Sequence, residues 1–328
     1  MLSQSYNLKM LTHQKPLFIA LGLVIVFMTA YAILGAFGWG EQASNEQAIG
    51  EISRWCERVS DGLFREPSNA LSNLGFMFAG LMMLRILATD SDYLLDLNQF
   101  FGHTPVSLLY AGSVIWLGGG SLLMHGTHTS WGASADNLSM VMYILIPWLF
   151  NLSQMGRWST KKLLTIYCLL VLTYGLGREL LGSRLGINLD LFDISIALWC
   201  ISELLHRFWS PRFRLLSGFS GFIVAAIFGI FPNEMIADPA RYWWVILFWV
   251  PGIFSNYKPV EQRKYYPWFF LGISTYLTAF VIWLTGRPNH PWCNPDSIFQ
   301  AHAIWHLLSA LATWFFFKYF RTERRIRL

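Results

Sequence analysis

His302 and His306 stand four residues apart inside an otherwise apolar run, FQAHAIWHLLSALATWFFF. Residues at that spacing lie on one face of a helix, one above the other. An unsatisfied polar group in lipid is costly, so paired imidazoles there should face the protein interior and bind something. Another apolar run ends GGGSLLMHGTH, with Ser121 and His125 also four apart; the next opens SADNLSM, with Asp136 at its start. Three neutral imidazoles with a fourth position open make a catalytic zinc site. Zinc polarises a carbonyl and brings the pKa of water toward neutrality. A carboxylate beside it can take a proton from that water and hand it to a leaving amine. A hydroxyl one helical turn from a ligand can donate to a developing oxyanion. Ser121, His125, Asp136, His302 and His306 supply each of these parts.

Each fragment alone has a plainer reading. A histidine pair on an apolar helix can hydrogen-bond a neighbouring helix. Asp136 suits the positive end of a helix dipole, and Ser121 follows Gly118, Gly119 and Gly120 as another small residue permitting close packing. His128 shares a face with His125 and competes with it as a ligand. The stretch WCERVSDGLFREPSNALSN adds Glu57, Glu66, Asn69, Ser72 and Asn73. From Glu66 onward these recur at i, i+3, i+6 and i+7, which aligns them on one helical face. Glu66 before Pro67 also reads as a helix start, and the gathered oxygens as a calcium site.

The elements that position these groups must be membrane helices. Hydrophobic residues make up 54% of the 328-residue chain and charged ones 13%, against roughly 25% charged in an average soluble domain. Apolar runs predict ten spans, at about 16–39, 68–88, 105–128, 134–153, 161–179, 188–207, 214–231, 241–256, 266–285 and 297–319. The eighth is short and ends at Pro251–Gly252. A signal peptide competes for the first, but its run exceeds a typical h-region, which favours a retained helix. No linker, low-complexity tract or composition shift indicates a separate soluble domain. The fold class expected is all-α, a polytopic transmembrane bundle.

Basic residues orient it. Arg157 with Lys161 and Lys162, Arg207 with Arg212 and Arg214, Lys258 with Arg263 and Lys264, and the tail with Arg321 and Arg327 fall on the same side as Lys9 and Lys15. That side is expected to be the cytoplasm, with both termini there. The connection at about 89–104 carries acids, which contribute little to orientation. The net charge of +5 is then a topology signal and implies no nucleic-acid partner. On this topology Ser121, His125, Asp136, His302 and His306 converge at one depth near the non-cytoplasmic surface. Cys168 and Cys200 fall within spans, whereas Cys56 and Cys293 lie on the outer side, where a bridge or two free thiols are both compatible with the pattern.

These residues resemble the alkaline ceramidases, part of a seven-helix hydrolase superfamily that includes the adiponectin-type receptors. The matching elements are WCE at Trp55–Glu57, ExxNxxSN from Glu66 to Asn73, SxxxH at Ser121 and His125, Asp136 eleven residues on, and CNPDSIFQAHAIWHLLSA with His302, Trp305, His306 and Ser309. The short separation of His125 from Asp136 is similar to the ceramidase branch rather than the receptor branch. The resemblance implies zinc on His125, His302 and His306, Asp136 acting on water, Ser121 assisting at the carbonyl, and a Cys56–Cys293 disulfide. The reaction it implies is hydrolysis of the amide of a ceramide-like membrane lipid, giving a sphingoid base and a fatty acid. It covers about residues 54–140 and 290–312, leaving additional helices between Asp136 and His302. It also implies a calcium site at Glu57, Glu66 and Asn69, but Arg54 and Val59 replace an acid and an asparagine of that site, so a basic or hydrogen-bonded substitute for calcium competes. The division expected is 1–60, an N-terminal tail with first helix and outer loop, and 61–328, a ceramidase-like hydrolase domain with a seven-helix core. Competing functions are a receptor with structural zinc on the same fold, a hydrolase of another acyl lipid, and a transporter using the histidines and Asp136 as a proton relay.

Overall fold

The computed structural model describes residues 2–90 and 98–325. Residues 91–97, part of the acidic connection between the second and third spans, and Arg327 lie outside the described residues. The described residues are mostly helical, and strand among them is confined to Glu261–Gln262 and Arg324–Arg325. The described residues divide into two compact units, one within 2–139 and 263–324, the other of 140–262 with Arg325.

The first unit contains α1 (Leu2–Ala36), α2 (Pro67–Ser72), α3 (Leu74–Leu87), α4 (Pro105–Thr127) and the start of α5 (Ser130–Met155). It is completed by α12 (Trp268–Leu284) and α13 (Ala301–Phe320), which pack along one another. Proline at the first helical position begins α2 and α4, where its missing N–H has no intrahelical partner to lose. At Thr104 the side chain accepts the Ser107 N–H at 3.0 Å, capping α4. Helix α3 lies against both α4 and α13, and Tyr31, Met77 and Leu122 form a buried apolar cluster joining α1, α3 and α4. Two glycines of α4 set how closely its neighbours approach. A Cβ on Gly118 would lie 2.6 Å from the Asn73 carbonyl, and one on Gly120 2.6 Å from that of Ala135. The glycine run before Ser121 thus serves the close packing that its small residues allow.

At the other end of α13 from the histidines, Arg321 forks onto both carboxylate oxygens of Asp90, each at 2.7 Å. Buried Arg263 and Glu323 pair at 2.7 Å. On the histidine side, Cys56 and Cys293 form a disulfide, as the resemblance implies. Arg58 reinforces it, gripping Asp296 at 2.6 and 3.0 Å. Together they tie the segment before α2 to the segment before α13, across a sequence separation of 237 residues. Replacing both cysteines with serine is expected to destabilise the protein by about 2–5 kcal/mol. Thermal unfolding in detergent reads the loss, and non-reducing mass spectrometry of the wild type should show the two cysteine peptides linked.

The second unit holds the rest of α5, α6 (Thr160–Leu181), α7 (Leu191–Phe208), and the short α8 (Pro211–Leu216), α9 (Phe219–Ile227), α10 (Pro232–Ala237) and α11 (Val250–Phe254). Ile194, Ala197, Leu198, Ile201 and Leu205 make the buried face of α7 at helical spacing. Its polar members find partners there: Asn151 donates to Ser202 at 3.1 Å and to Glu203 at 2.9 Å.

Five helical stretches among the described residues are long and apolar enough to cross a membrane: His13–Ala36, Pro67–Leu87, Pro105–Thr127, Ser130–Met155 and Thr160–Leu181. They fit the first five expected spans. The apolar runs at 214–231 and 241–256 are not single long helices. Ser217 and Gly218 separate α8 from α9, and Trp243–Trp249 forms a 3-10 segment before α11. Hydropathy registers how apolar such a run is and is blind to these interruptions.

Candidate metal centre

Helix α4 carries His125 in its last turn, and α13 carries His302 and His306 in its first two. Gln300, just before α13, donates to the carbonyls of Ser297 and Asn294 at 2.7 and 3.0 Å, which anchors the start of that helix. The three imidazoles are buried, and one nitrogen from each lies within 4.8 Å of the others. His125 Nε2 and His302 Nε2 are 3.1 Å apart. Two nitrogens on a tetrahedral zinc at ordinary bond lengths would be separated by about 3.3 Å.

Hydrogen bonds on the far side of two rings determine which nitrogen is offered inward. His125 Nδ1 faces Glu66 Oε2 at 3.0 Å, and a carboxylate only accepts, so Nδ1 carries the proton and Nε2 the lone pair. For His306 the partners of Nδ1 are the Asn69 carbonyl at 3.1 Å and Ser72 Oγ at 2.8 Å. Ser72 spends its single proton on the same carbonyl, so Nδ1 of His306 again donates and Nε2 is free. Metal-binding histidines are prepared in this way, with the outer nitrogen bonded to a carboxylate or carbonyl. With His125 in that tautomer, its Nε2 lone pair points at His302 Nε2. A cation between them satisfies both, so the donor set fits a metal ion with zinc's preferences.

Glu66 is the hub beneath the cluster. Besides His125 it accepts from His128 Nε2 at 2.6 Å and from Asn69 Nδ2 at 2.6 Å. His128 must donate there, because Gln42 donates to its Nδ1 at 3.2 Å. His128 therefore supports the carboxylate and stands outside the triad. Burial opposes ionisation of Glu66, but His125 and His128 outweigh it and hold the carboxyl below its ordinary value. Replacing Glu66 with glutamine is expected to lower metal affinity about 10–100-fold, measured by competition with a zinc-chelating dye.

Glu57 does not touch the triad. Its two oxygens accept the N–H groups of Ser68 at 2.7 Å and Asn69 at 2.9 Å, capping α2 from the loop that precedes it. Glu66 sits at the N-cap position without capping, since its carboxylate has turned to the histidines. Asn69 thus bonds both Glu57 and Glu66, and both carboxylates are engaged by N–H donors. Asn73 donates to the Asn69 carbonyl at 2.9 Å. Trp55 stacks on His302 with ring centroids 4.2 Å apart and meets His125 edge-on at 6.4 Å. Of the remaining expected residues, Ser121 is buried one turn before His125. Asp136, half-buried on α5, is near enough to His125 for a coulombic interaction.

The supporting roles of Glu57, Glu66 and Ser72 had no separable signal in their spacing, which marked only a polar helical face. Comparison with curated proteins finds no match. A family model described as Ceramidase matches residues 52–327, a range that takes in Trp55, Glu66, His125, Asp136 and both histidines of α13. The chain belongs to the ceramidase family.

Proposed function

We propose that this protein is a zinc-dependent intramembrane amidohydrolase that cleaves the N-acyl bond of ceramide-like lipids. The observation that carries this reading is the buried triad, whose ligating nitrogens lie within 4.8 Å of one another. Family membership supports a hydrolase acting on amides. His125, His302 and His306 would hold the metal, each through one ring nitrogen. Zinc held there would supply Lewis acidity, polarising the amide carbonyl and making water nucleophilic near neutral pH.

The chain's own groups then divide the work. Glu66, Ser72 and the Asn69 carbonyl keep His125 and His306 oriented. Asp136 takes a proton from the attacking water as its oxygen bonds to the carbonyl carbon. The same carboxyl returns that proton to the amide nitrogen as the C–N bond breaks. Ser121 Oγ–H donates to the carbonyl oxygen as charge develops there. The fatty acid and sphingoid base leave with all atoms accounted for. Trp55 covers one face of His302 and excludes water from it. Glu57 and Glu66 act in this reading as hydrogen-bonded supports, which makes calcium dispensable. The excess of basic residues on one side supports cytoplasmic termini and a site toward the opposite surface.

Metal analysis of the purified protein, combined with fatty-acid release from N-acyl sphingolipids and phospholipids, tests the proposal. About one zinc per chain and amide hydrolysis are expected. Zinc-free active protein would refute the metal assignment, and zinc without hydrolysis of any lipid would favour the receptor.

A further inference from the structure

Beside Trp55 a cavity of about 700 Å³ opens, lined by Gln47, Ile52, Arg54, Leu284, Arg287 and His290. Its wall is continuous with the metal centre. Arg287 lies over the Trp283 ring at 5.5 Å, Trp283 meets Trp55 at 5.6 Å, and Trp55 stacks on His302 at 4.2 Å. A molecule in the cavity therefore rests one aromatic ring away from a metal-ligating histidine.

The cations lining it differ in availability. Arg54 forms an ion pair with Glu46, so its charge is already answered. Arg287 is exposed and forms no ion pair or side-chain hydrogen bond among the described residues. His290 accepts the Trp292 N–H on Nδ1 at 3.2 Å, so Nε2 is the atom it can offer a ligand. The lining is otherwise apolar or neutral, as at Ile52, Leu284 and Gln47. Water solvates this exposed guanidinium in the free protein, and a neutral diol head offers it little more. A carboxylate or phosphate matches its planar fork with two parallel N–H donors. The cation–π contact with Trp283 restrains that fork, which reduces the entropy lost on binding.

We propose that this cavity is the headgroup subsite of the acyl-lipid substrate and that Arg287 there receives an oxyanion, either carboxylate or phosphate. The proposal rests on the hydrolase reading of the triad and sharpens its substrate class: N-acyl lipids with an anionic head are preferred over neutral ceramide. Three hexadecanoyl amides distinguish the sources in neutral-detergent micelles: N-hexadecanoylsphingosine, its 1-phosphate and N-hexadecanoylglycine. For the full-length protein, kcat/KM should favour an anionic amide over the neutral one. Arg287→Gln should reduce that preference about 10-fold or more, with Arg287→Lys retaining part of it. Whichever anionic arm loses its preference identifies the head. Equal selectivity in wild type and Arg287→Gln would overturn the subsite.

Equilibrium binding of the two anionic amides in an Asp136→Asn background gives a readout that needs no turnover. If no lipid is hydrolysed by the wild type, the hydrolase reading fails by itself. Binding weakened about tenfold by Arg287→Gln would still uphold the subsite, and unchanged binding would remove it.

Discussion

His302→Ala is expected to lose both the metal and lipid hydrolysis, with zinc content falling from about one per chain toward none. The ring contributes one of three donors, and its Nε2 lies 3.1 Å from that of His125. Removing it leaves two protein ligands, fewer than the three of a catalytic zinc site. Alanine also removes the surface on which Trp55 stacks, so loss of activity alone would not isolate the metal. Zinc-dependent stabilisation does. Free zinc about 1,000-fold above the Kd should raise the apparent stability of the wild type by about 4 kcal/mol, because the ion binds the folded chain. Unfolding of His302→Ala should be insensitive to the same zinc concentration. His128→Ala is the contrasting case, since that ring bonds Glu66 and lies outside the triad. It should keep the metal at reduced affinity. Full zinc occupancy in His302→Ala would remove the histidine from the ligand set.

The two helices that carry the triad are far apart in sequence, yet their meeting was legible because lipid penalises polar residues so severely. His125 and His302 could not each be buried in apolar spans without partners, and the loop charges placed both at the same membrane surface. The cysteines were legible in part, since topology put Cys56 and Cys293 on one side without choosing between a bridge and free thiols. Finer roles were not legible. Glu66 before Pro67 has the pattern of a helix start, and α2 does begin at Pro67, but Glu57 supplies the cap from the preceding loop. Nothing in the spacing of two carboxylates nine residues apart says which one turns inward. The second unit was least legible. Its apolar segments read as spans by composition, while Pro211 and Pro232 each begin a separate short helix and Pro251 lies in the first turn of another.

Burial around the triad has a consequence for preorganisation. His125, His302, His306, Glu66 and Asn69 are each at most 5% exposed, so few waters compete for their hydrogen bonds. The proton positions on His125 and His306 are fixed by acceptors before any substrate arrives. Such a site spends little energy reorganising when charge develops. The disulfide and the Arg58–Asp296 pair extend this rigidity to the loop carrying Trp55 and Glu57. Support for the triad thus begins outside the helices that carry its histidines.

Asp136→Asn should separate chemistry from metal binding. Asparagine preserves shape and volume at a half-buried position, but cannot accept a proton from water near neutral pH. A positioned general acid–base typically contributes about 10²–10⁴ in rate, equivalent to about 2.7–5.4 kcal/mol of transition-state stabilisation. The expected outcome is kcat reduced within that range, zinc content unchanged and KM altered little. That combination differs from the effect on a ligand, which removes metal, and from a folding defect, which lowers stability. Asp136→Glu retains the functional group on a longer stem, so its kcat should lie between those of wild type and Asp136→Asn. Stopped assays of fatty-acid release with matched zinc analysis measure all three proteins. Wild-type kcat in zinc-loaded Asp136→Asn would leave the carboxylate no part in proton transfer, and the water's proton would need another acceptor.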